Sequence, residues 1–180
     1  VFPHLSGIDL TIETELGDVG LAFSTIPHKE SAPEVIPLLE RDLKVVDLSA
    51  DFRLKDAREY PVWYGFTHPA PKLLKRAVYG LTELYRSQLA TAQLVANPGC
   101  YATSAILALA PAVKGGLIGA DIIIDSKSGV SGAGRTVSLE THYSEANEDT
   151  TAYSLSGHRH LPEIVQELNL LCAQPSPSVA

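Results

Sequence analysis

A lone cysteine lies where a turn leads into a strongly apolar segment. Pro98 and Gly99 interrupt regular structure directly before Cys100, and residues 101–113 carry apolar side chains at a helical period. Cys100 is therefore predicted in the first turn of a helix, where unpaired backbone N–H groups and the helix dipole favour a thiolate. Because a thiolate is a nucleophile, Cys100 is a candidate for covalent catalysis. The alternative is a small buried apolar residue, as most free cysteines are.

Two histidines, His158 and His160, come shortly before a second predicted helix at 164–171. Pro162 suits the first position of that helix and Glu163 suits its first turn, so both histidines lie just ahead of it. A histidine beside a cysteine can take and return a proton near neutral pH. Both are therefore acid–base candidates, and the sequence pattern does not distinguish them.

The same His-x-His pair could also bind a metal ion. The other nearby ligands are His142 and Glu140, and no Cys or His cluster completes a tetrahedral set. No metal site is predicted.

A glycine-rich loop at 126–135 follows the strand-like segment 121–125. After a parallel strand, such a loop lets backbone N–H groups approach a phosphate or carboxylate, and Arg135 offers a guanidinium for the same anion. A flexible surface loop would have a similar composition. Residues 129–133 also approach the Gly-x-Ser-x-Gly pattern of serine hydrolases, but Ala133 replaces its last glycine.

His28 follows the strand-like segment 19–24 and Pro27. This is the carboxyl end of a predicted sheet strand, where ligands of open α/β folds bind. An exposed loop histidine is the alternative. Further along, Asp51 and Arg53 are predicted to pair with each other and hold the next loop.

The elements that must position these residues follow from the apolar runs. Strands are predicted at 9–14, 19–24, 44–48 and 94–96, and the last three lack alternation, as buried parallel strands do. Ser31 and Glu34 have capping-box spacing at the start of a helix predicted at 34–41. Residues 56–75 are predicted to form a long loop. The remaining predictions are helices at 84–89 and 137–146 and a strand at 153–155.

Charge and cysteine content limit the possible partners and compartment. The formal net charge of −7 argues against a nucleic-acid surface. Two cysteines are too few for a disulfide framework, which suits a reducing compartment. No apolar run approaches the roughly 20 residues of a membrane span, and no secretory signal opens the chain. A cytoplasmic protein without membrane partners is therefore expected. A lost organellar targeting peptide is left open as an alternative.

Seven segments, in order, resemble the signature segments of the N-acetyl-gamma-glutamyl-phosphate reductases of arginine biosynthesis. Three of them contain the residues discussed above: 97–101, 128–135 and 158–163. The other four are 26–28, 47–53, 63–68 and 79–84.

The resemblance implies an α/β protein: the latter part of a Rossmann-type dinucleotide-binding domain at 1–98, followed by part of an α+β catalytic domain at 99–180. It also implies NADPH-dependent reduction of an acyl phosphate to an aldehyde through a thioester on Cys100, with a catalytic histidine at His158 or His160. Residues expected at the NADP(H) cofactor are Ser24, Pro27, His28, Ser131, Gly132 and Gly134. On charge, Arg135 and Arg159 are candidates for the substrate phosphate and carboxylate.

Members of this family begin with a strand and a glycine-rich turn that holds the cofactor pyrophosphate, and neither precedes Val1. The expectation is therefore an internal fragment of a longer chain, and the resemblance implies a homo-oligomer. Two alternatives remain: a related aminoadipyl-phosphate or aspartyl-phosphate reductase, and a non-catalytic fragment of such an enzyme.

Overall fold

A computed structural model describes residues 7–8, 13–119 and 121–172. Four parallel strands form a sheet in the spatial order β1-β2-β4-β3. The strands are β1 (Leu21–Ser24), β2 (Lys44–Asp47), β3 (Val78–Tyr79) and β4 (Leu94–Ala96). The predicted α/β class is thus confirmed, as are the strands predicted at 19–24, 44–48 and 94–96. Positions 9–12 of the strand predicted at 9–14 lie outside the described residues.

Parallel strands end at one edge of a sheet, so the segments after β1, β2 and β4 emerge side by side. These segments contain His28, Arg53 and the turn before Cys100. The sheet therefore brings together residues that are far apart in sequence.

The helices are α1 (Ser31–Glu40), α2 (Glu59–Trp63), α3 (Pro71–Leu74), α4 (Thr82–Leu89), α5 (Cys100–Lys114), α6 (Tyr143–Ala146) and α7 (Leu161–Leu171). The predicted helices beginning at Cys100 and near Pro162 are confirmed. The long loop predicted at 56–75 is wrong, because α2 and α3 form within it. Their aromatic and leucine side chains pack against the first core described below, which stabilises helices too short to form alone.

Three further predictions between α5 and α7 are wrong. Segment 121–125 pairs only at Ile122, and 153–155 forms no strand. The helix predicted at 137–146 is reduced to a 3-10 turn at Leu139–Thr141 followed by α6. Most of these residues are exposed, so little burial stabilises the strands or helix that their local pattern favours.

The start of α1 also differs from the prediction. Ser31 and Glu34 form no capping box, and the Ser31 hydroxyl instead donates to Asp47 at 2.6 Å. The carboxylate of Asp51 accepts hydrogen bonds from the backbone N–H groups of Lys29 (2.7 Å) and Ala32 (2.9 Å). Asp51 thus stabilises the amino end of α1 and does not pair with Arg53 as predicted.

Two apolar clusters hold the described residues together. The first lies between the sheet, α1 and the 52–77 segment, and includes Phe52, Leu54 and Tyr60. The second joins α5 to α7 and also contains Tyr79 and Leu81. The second cluster therefore fixes α7 against the helix that begins at Cys100. Within the described residues, no helix has the length and apolar character needed to cross a membrane.

Candidate active site

Cys100 is the first residue of α5 and is exposed. The backbone N–H of Asn97, just after β4, donates to the carbonyl of Asp47 at 2.8 Å, which continues the sheet pairing by one residue. The carbonyl of Gly99 then accepts the first helical hydrogen bond, from the N–H of Thr103 at 2.8 Å. The predicted position of Cys100 in a first helical turn is confirmed, at the sheet edge described above.

Gly99 lets the amino end of α7 approach the residue before Cys100. A Cβ atom at Gly99 would lie 2.5 Å from Nε2 of His160 and 2.6 Å from Oε1 of Glu163. Both distances are far below van der Waals contact, so a side chain at this position would force the two helix ends apart. The absence of a side chain at Gly99 places His160 against the Cys100 turn.

The carboxylate of Glu163 is fully buried beneath this turn. Its Oε2 accepts hydrogen bonds from the Gly99 N–H (3.2 Å) and the Tyr79 hydroxyl (2.8 Å). Its Oε1 pairs with the Arg53 guanidinium at 3.4 Å. Burial raises the pKa of Glu163, and the charge of Arg53 opposes that rise. The sequence pattern assigned Glu163 only to a helix start, because it gives no signal for partners so distant along the chain.

The two histidine rings lie edge to face with their centroids 4.5 Å apart. The backbone N–H of His160 donates to Nδ1 of His158 at 3.1 Å, so neutral His158 carries its ring proton on Nε2. Burial, then the charges of His158, Arg53 and Arg159, lower the pKa of His160 to about 3. Burial and Arg159 also lower the pKa of His158. The described residues contain no group of three or more His, Cys, Asp or Glu side chains arranged for a metal ion.

Two tyrosines complete the surroundings of His158. The hydroxyl of Tyr153 donates to that of Tyr101 at 2.7 Å. Both rings lie edge to face with His158, at centroid distances of 5.2 Å for Tyr101 and 5.9 Å for Tyr153. Burial raises the pKa of Tyr153 to about 12, helped by the Tyr101 hydrogen bond and by the charges of Tyr101 and Cys100. The charges of Cys100 and Tyr101 thus act on Tyr153, and both tyrosine rings pack on His158. The sequence pattern gave no role to either tyrosine.

A cavity of about 250 Å³ opens beside this group. Pro27 and His28 line one side, and Arg53, Arg159 and His160 are among the other residues lining it. Burial and Arg159 lower the pKa of His28. Nδ1 of His160 is buried and has no hydrogen-bond partner among the described residues.

Ser24 lies apart from the lining of this cavity. Its side chain is buried, and its hydroxyl shares a 2.7 Å hydrogen bond with that of Ser31. Since Ser31 in turn donates to Asp47, Ser24 belongs to a hydrogen-bonded network beneath α1.

The glycine-rich loop is exposed. Ser131 and Gly132 lie in a 3-10 turn at Val130–Ala133, and Gly134 follows with a positive φ of 82°, a conformation that favours glycine. Arg135 is exposed directly after it. The cofactor and substrate roles assigned to this loop remain predictions.

The two cysteines are expected to differ in reactivity. Cys100 is exposed at a helix amino end, whereas Cys172 is half-buried at the carboxyl end of α7 and packs on the second apolar cluster. Both exposure and the helix dipole favour attack by Cys100. Iodoacetamide at neutral pH should therefore alkylate Cys100 much faster, as measured by peptide mass spectrometry over time. Equal rates in the folded protein would contradict an activated Cys100.

Comparison with known proteins gives two family matches and a series of relatives. The family described as the semialdehyde dehydrogenase NAD binding domain matches residues 4–92, and the semialdehyde dehydrogenase dimerisation domain matches residues 100–179. A Dehalococcoides mccartyi protein named N-acetyl-gamma-glutamyl-phosphate reductase is 55% identical over 179 residues, covering 99% of this chain and 52% of that protein. One of the same name from Clostridium novyi is 49% identical over 164 residues, with coverages of 91% and 48%.

A third relative, from Oryza sativa, is named a probable chloroplastic N-acetyl-gamma-glutamyl-phosphate reductase. It is 50% identical over 175 residues, covering 94% of this chain and 42% of that protein. The chain thus spans about half the length of the curated relatives it matches.

Proposed function

Because the chain belongs to the semialdehyde dehydrogenase family, we propose that it carries the nucleophile of an NADPH-dependent reductase acting on N-acetyl-5-glutamyl phosphate. The product is N-acetylglutamate 5-semialdehyde, and the acyl group passes through a thioester on Cys100. The close approach of His160 to Gly99 is the observation that carries this proposal, since it brings the histidine pair to the helix start that bears Cys100.

His158 is the acid–base group in this proposal. Its ring lies edge to face with Tyr101, the residue after Cys100, and its Nδ1 is already engaged by the His160 N–H. Nε2 is therefore the atom that exchanges protons with the reactants. With its pKa lowered to about 3, His160 stays neutral near pH 7 and orients His158 through its backbone.

The chemistry proceeds in two stages on Cys100. Neutral His158 takes the thiol proton, and the thiolate attacks the acyl carbon. A C–S bond forms as the C–O bond to phosphate breaks, and phosphate leaves with the electron pair and takes a proton from solvent.

NADPH, when bound, supplies the hydride that reduces the thioester carbon. Protonated His158 then gives its proton to the resulting oxygen, which leaves a thiohemiacetal on Cys100. His158 then takes the hydroxyl proton back, the carbonyl re-forms, and the C–S bond breaks to release the aldehyde and the thiolate. Transfer of that proton from His158 to the thiolate restores the starting state.

The cavity beside the histidines suits the reactive end of the cofactor. It is lined by Pro27 and His28 from the loop after β1, and its wall includes His160. Pro27 and His28 are therefore proposed to contact the cofactor, and the predicted contacts of Ser131, Gly132 and Gly134 remain part of the proposal.

A contact by the Ser24 side chain is not supported, since its hydroxyl is engaged beneath α1.

Arg159 is the better supported of the two substrate-binding arginines. It lines the cavity, and its carbonyl accepts the Tyr64 hydroxyl at 3.1 Å, which fixes its backbone. A guanidinium there can bind a carboxylate or phosphate with two hydrogen bonds. Arg135 is proposed for the second anionic group. We also propose that residues 100–179 contribute to association with a second copy, following the dimerisation family they match.

A substrate comparison in the complete protein tests the proposal. N-acetylglutamyl phosphate should support NADPH oxidation, measured at the nicotinamide absorbance, with a higher kcat/KM than aspartyl or aminoadipyl phosphate. Faster turnover of either of those two acyl phosphates would transfer the assignment to the related reductase. A folded protein that oxidises NADPH with none of the three would support the non-catalytic alternative.

A further inference from the structure

We infer that Glu163 is a positioning residue for Cys100. Its carboxylate holds the Asn97–Gly99 turn in the one place where α5 begins against the two histidines. The catalytic consequence of this inference rests on the proposed function, whereas its geometric part does not.

Glu163 binds the backbone immediately before the nucleophile. Its Oε2 is 3.2 Å from the N–H of Gly99 and 2.8 Å from the Tyr79 hydroxyl. Gly99 is buried, and a buried N–H group without a partner is costly. The carboxylate therefore determines where this backbone group can lie. Tyr79 belongs to β3, so the contact also ties the turn and α7 to the sheet.

Arg53 binds the other side of the same turn. Its Nε donates to the carbonyl of Asn97 at 2.7 Å, and a terminal nitrogen donates to the carbonyl of Leu48 at 2.9 Å. Its second terminal nitrogen is 3.4 Å from Oε1 of Glu163. The turn is thus held between two opposite charges that compensate each other, with Glu163 on the Gly99 N–H and Arg53 on the Asn97 carbonyl.

Close packing around Gly99 leaves the turn little room to move. The Cβ position of Gly99 would lie 2.6 Å from Oε1 of Glu163 and from Cε1 of His160, so backbone and side chains are already in close contact. A shift of the turn changes the distance from Cys100 to His158 directly. Misplacement of a reacting group by about 1 Å can cost about 10²-fold in rate.

Variants at Glu163 and Glu167 separate positioning from general stability. Glu167 is the matched control, because it lies one turn along α7, is equally buried, and binds Tyr85 and Gln166 instead of the turn. Glu163→Gln keeps an acceptor oxygen for Gly99 but removes the charge that compensates Arg53. Glu163→Met has a similar shape and removes both the acceptor and the charge. Glu167→Gln and Glu167→Met are the corresponding controls.

Two readouts are compared in the complete protein. Hydrogen exchange of the Gly99 amide should accelerate strongly in Glu163→Met, little in Glu163→Gln, and not in either Glu167 variant. The kcat should fall about 10²-fold in Glu163→Met and about tenfold in Glu163→Gln, with KM little changed, because only the position of the nucleophile is affected. The Glu167 variants should keep kcat even where thermal stability falls.

Equal kcat losses at the two positions would overturn the inference, as would wild-type Gly99 exchange in a folded Glu163→Met protein. If Glu163→Met does not fold, Glu163→Gln against Glu167→Gln decides by kcat alone: a loss at position 163 only supports positioning, and no difference overturns it. If the wild-type protein reduces no acyl phosphate, the proposed function fails, while exchange of the Gly99 amide still tests the geometry.

Discussion

Replacing Cys100 by alanine is expected to abolish reduction of the acyl phosphate. No other group at the helix start can form the thioester, so the reaction loses its covalent route. Loss of a nucleophile typically lowers kcat by roughly 10⁴–10⁶-fold. The measurement is NADPH oxidation with saturating substrate in the complete protein.

The Cys100→Ala variant is expected to remain folded. Because the side chain is exposed at the start of α5, its removal should leave the fold and thermal midpoint close to wild type. Cys172→Ala is the matched control and should retain full turnover. A Cys100→Ala protein within tenfold of wild-type kcat would mean that the acyl group is never carried by this residue.

The second large effect is expected at His158. His158→Asn should lower kcat by about 10²–10⁴-fold with little change in KM, the usual scale for a lost proton transfer. Asparagine suits this test because its side-chain oxygen can replace Nδ1 as acceptor for the His160 N–H. The local backbone is thereby retained while the proton-transferring Nε2 is removed.

His160→Asn is the informative comparison. His160 lines the cavity and packs against Gly99, so its replacement should raise the KM for NADPH or lower stability more than it lowers kcat. A larger kcat loss at His160 than at His158 would reverse the assignment of the acid–base group. If neither variant lowers kcat tenfold, proton transfer belongs to another residue.

The features that depend on local pattern could be predicted from the sequence. The turn residues Pro98 and Gly99 and the apolar period after them predicted the helix that begins at Cys100, and Pro162 predicted the start of α7. These signals work because helix boundaries depend on backbone constraints that a few neighbouring residues impose.

The sequence contains no comparable signal for contacts between residues that are distant along the chain. Asp51 and Arg53, two residues apart, were predicted to pair, but Asp51 binds the N–H of Lys29, 22 residues away, and Arg53 binds Glu163, 110 residues away. The sheet edge and α7 come together only in the tertiary structure. That arrangement determines which groups Asp51 and Arg53 contact. The Tyr101–Tyr153 hydrogen bond was missed for the same reason, since Tyr153 lies in an exposed segment without a regular pattern.

The central claim is that Cys100 carries the acyl group, and trapping that intermediate tests it most directly. The complete protein is mixed with N-acetylglutamyl phosphate in the absence of NADPH, quenched in acid, digested and analysed by mass spectrometry. We expect release of one phosphate per active site and one acyl group on the Cys100 peptide, removed by hydroxylamine and absent from Cys100→Ala. Phosphate release and turnover without any acyl group on Cys100 would contradict the account.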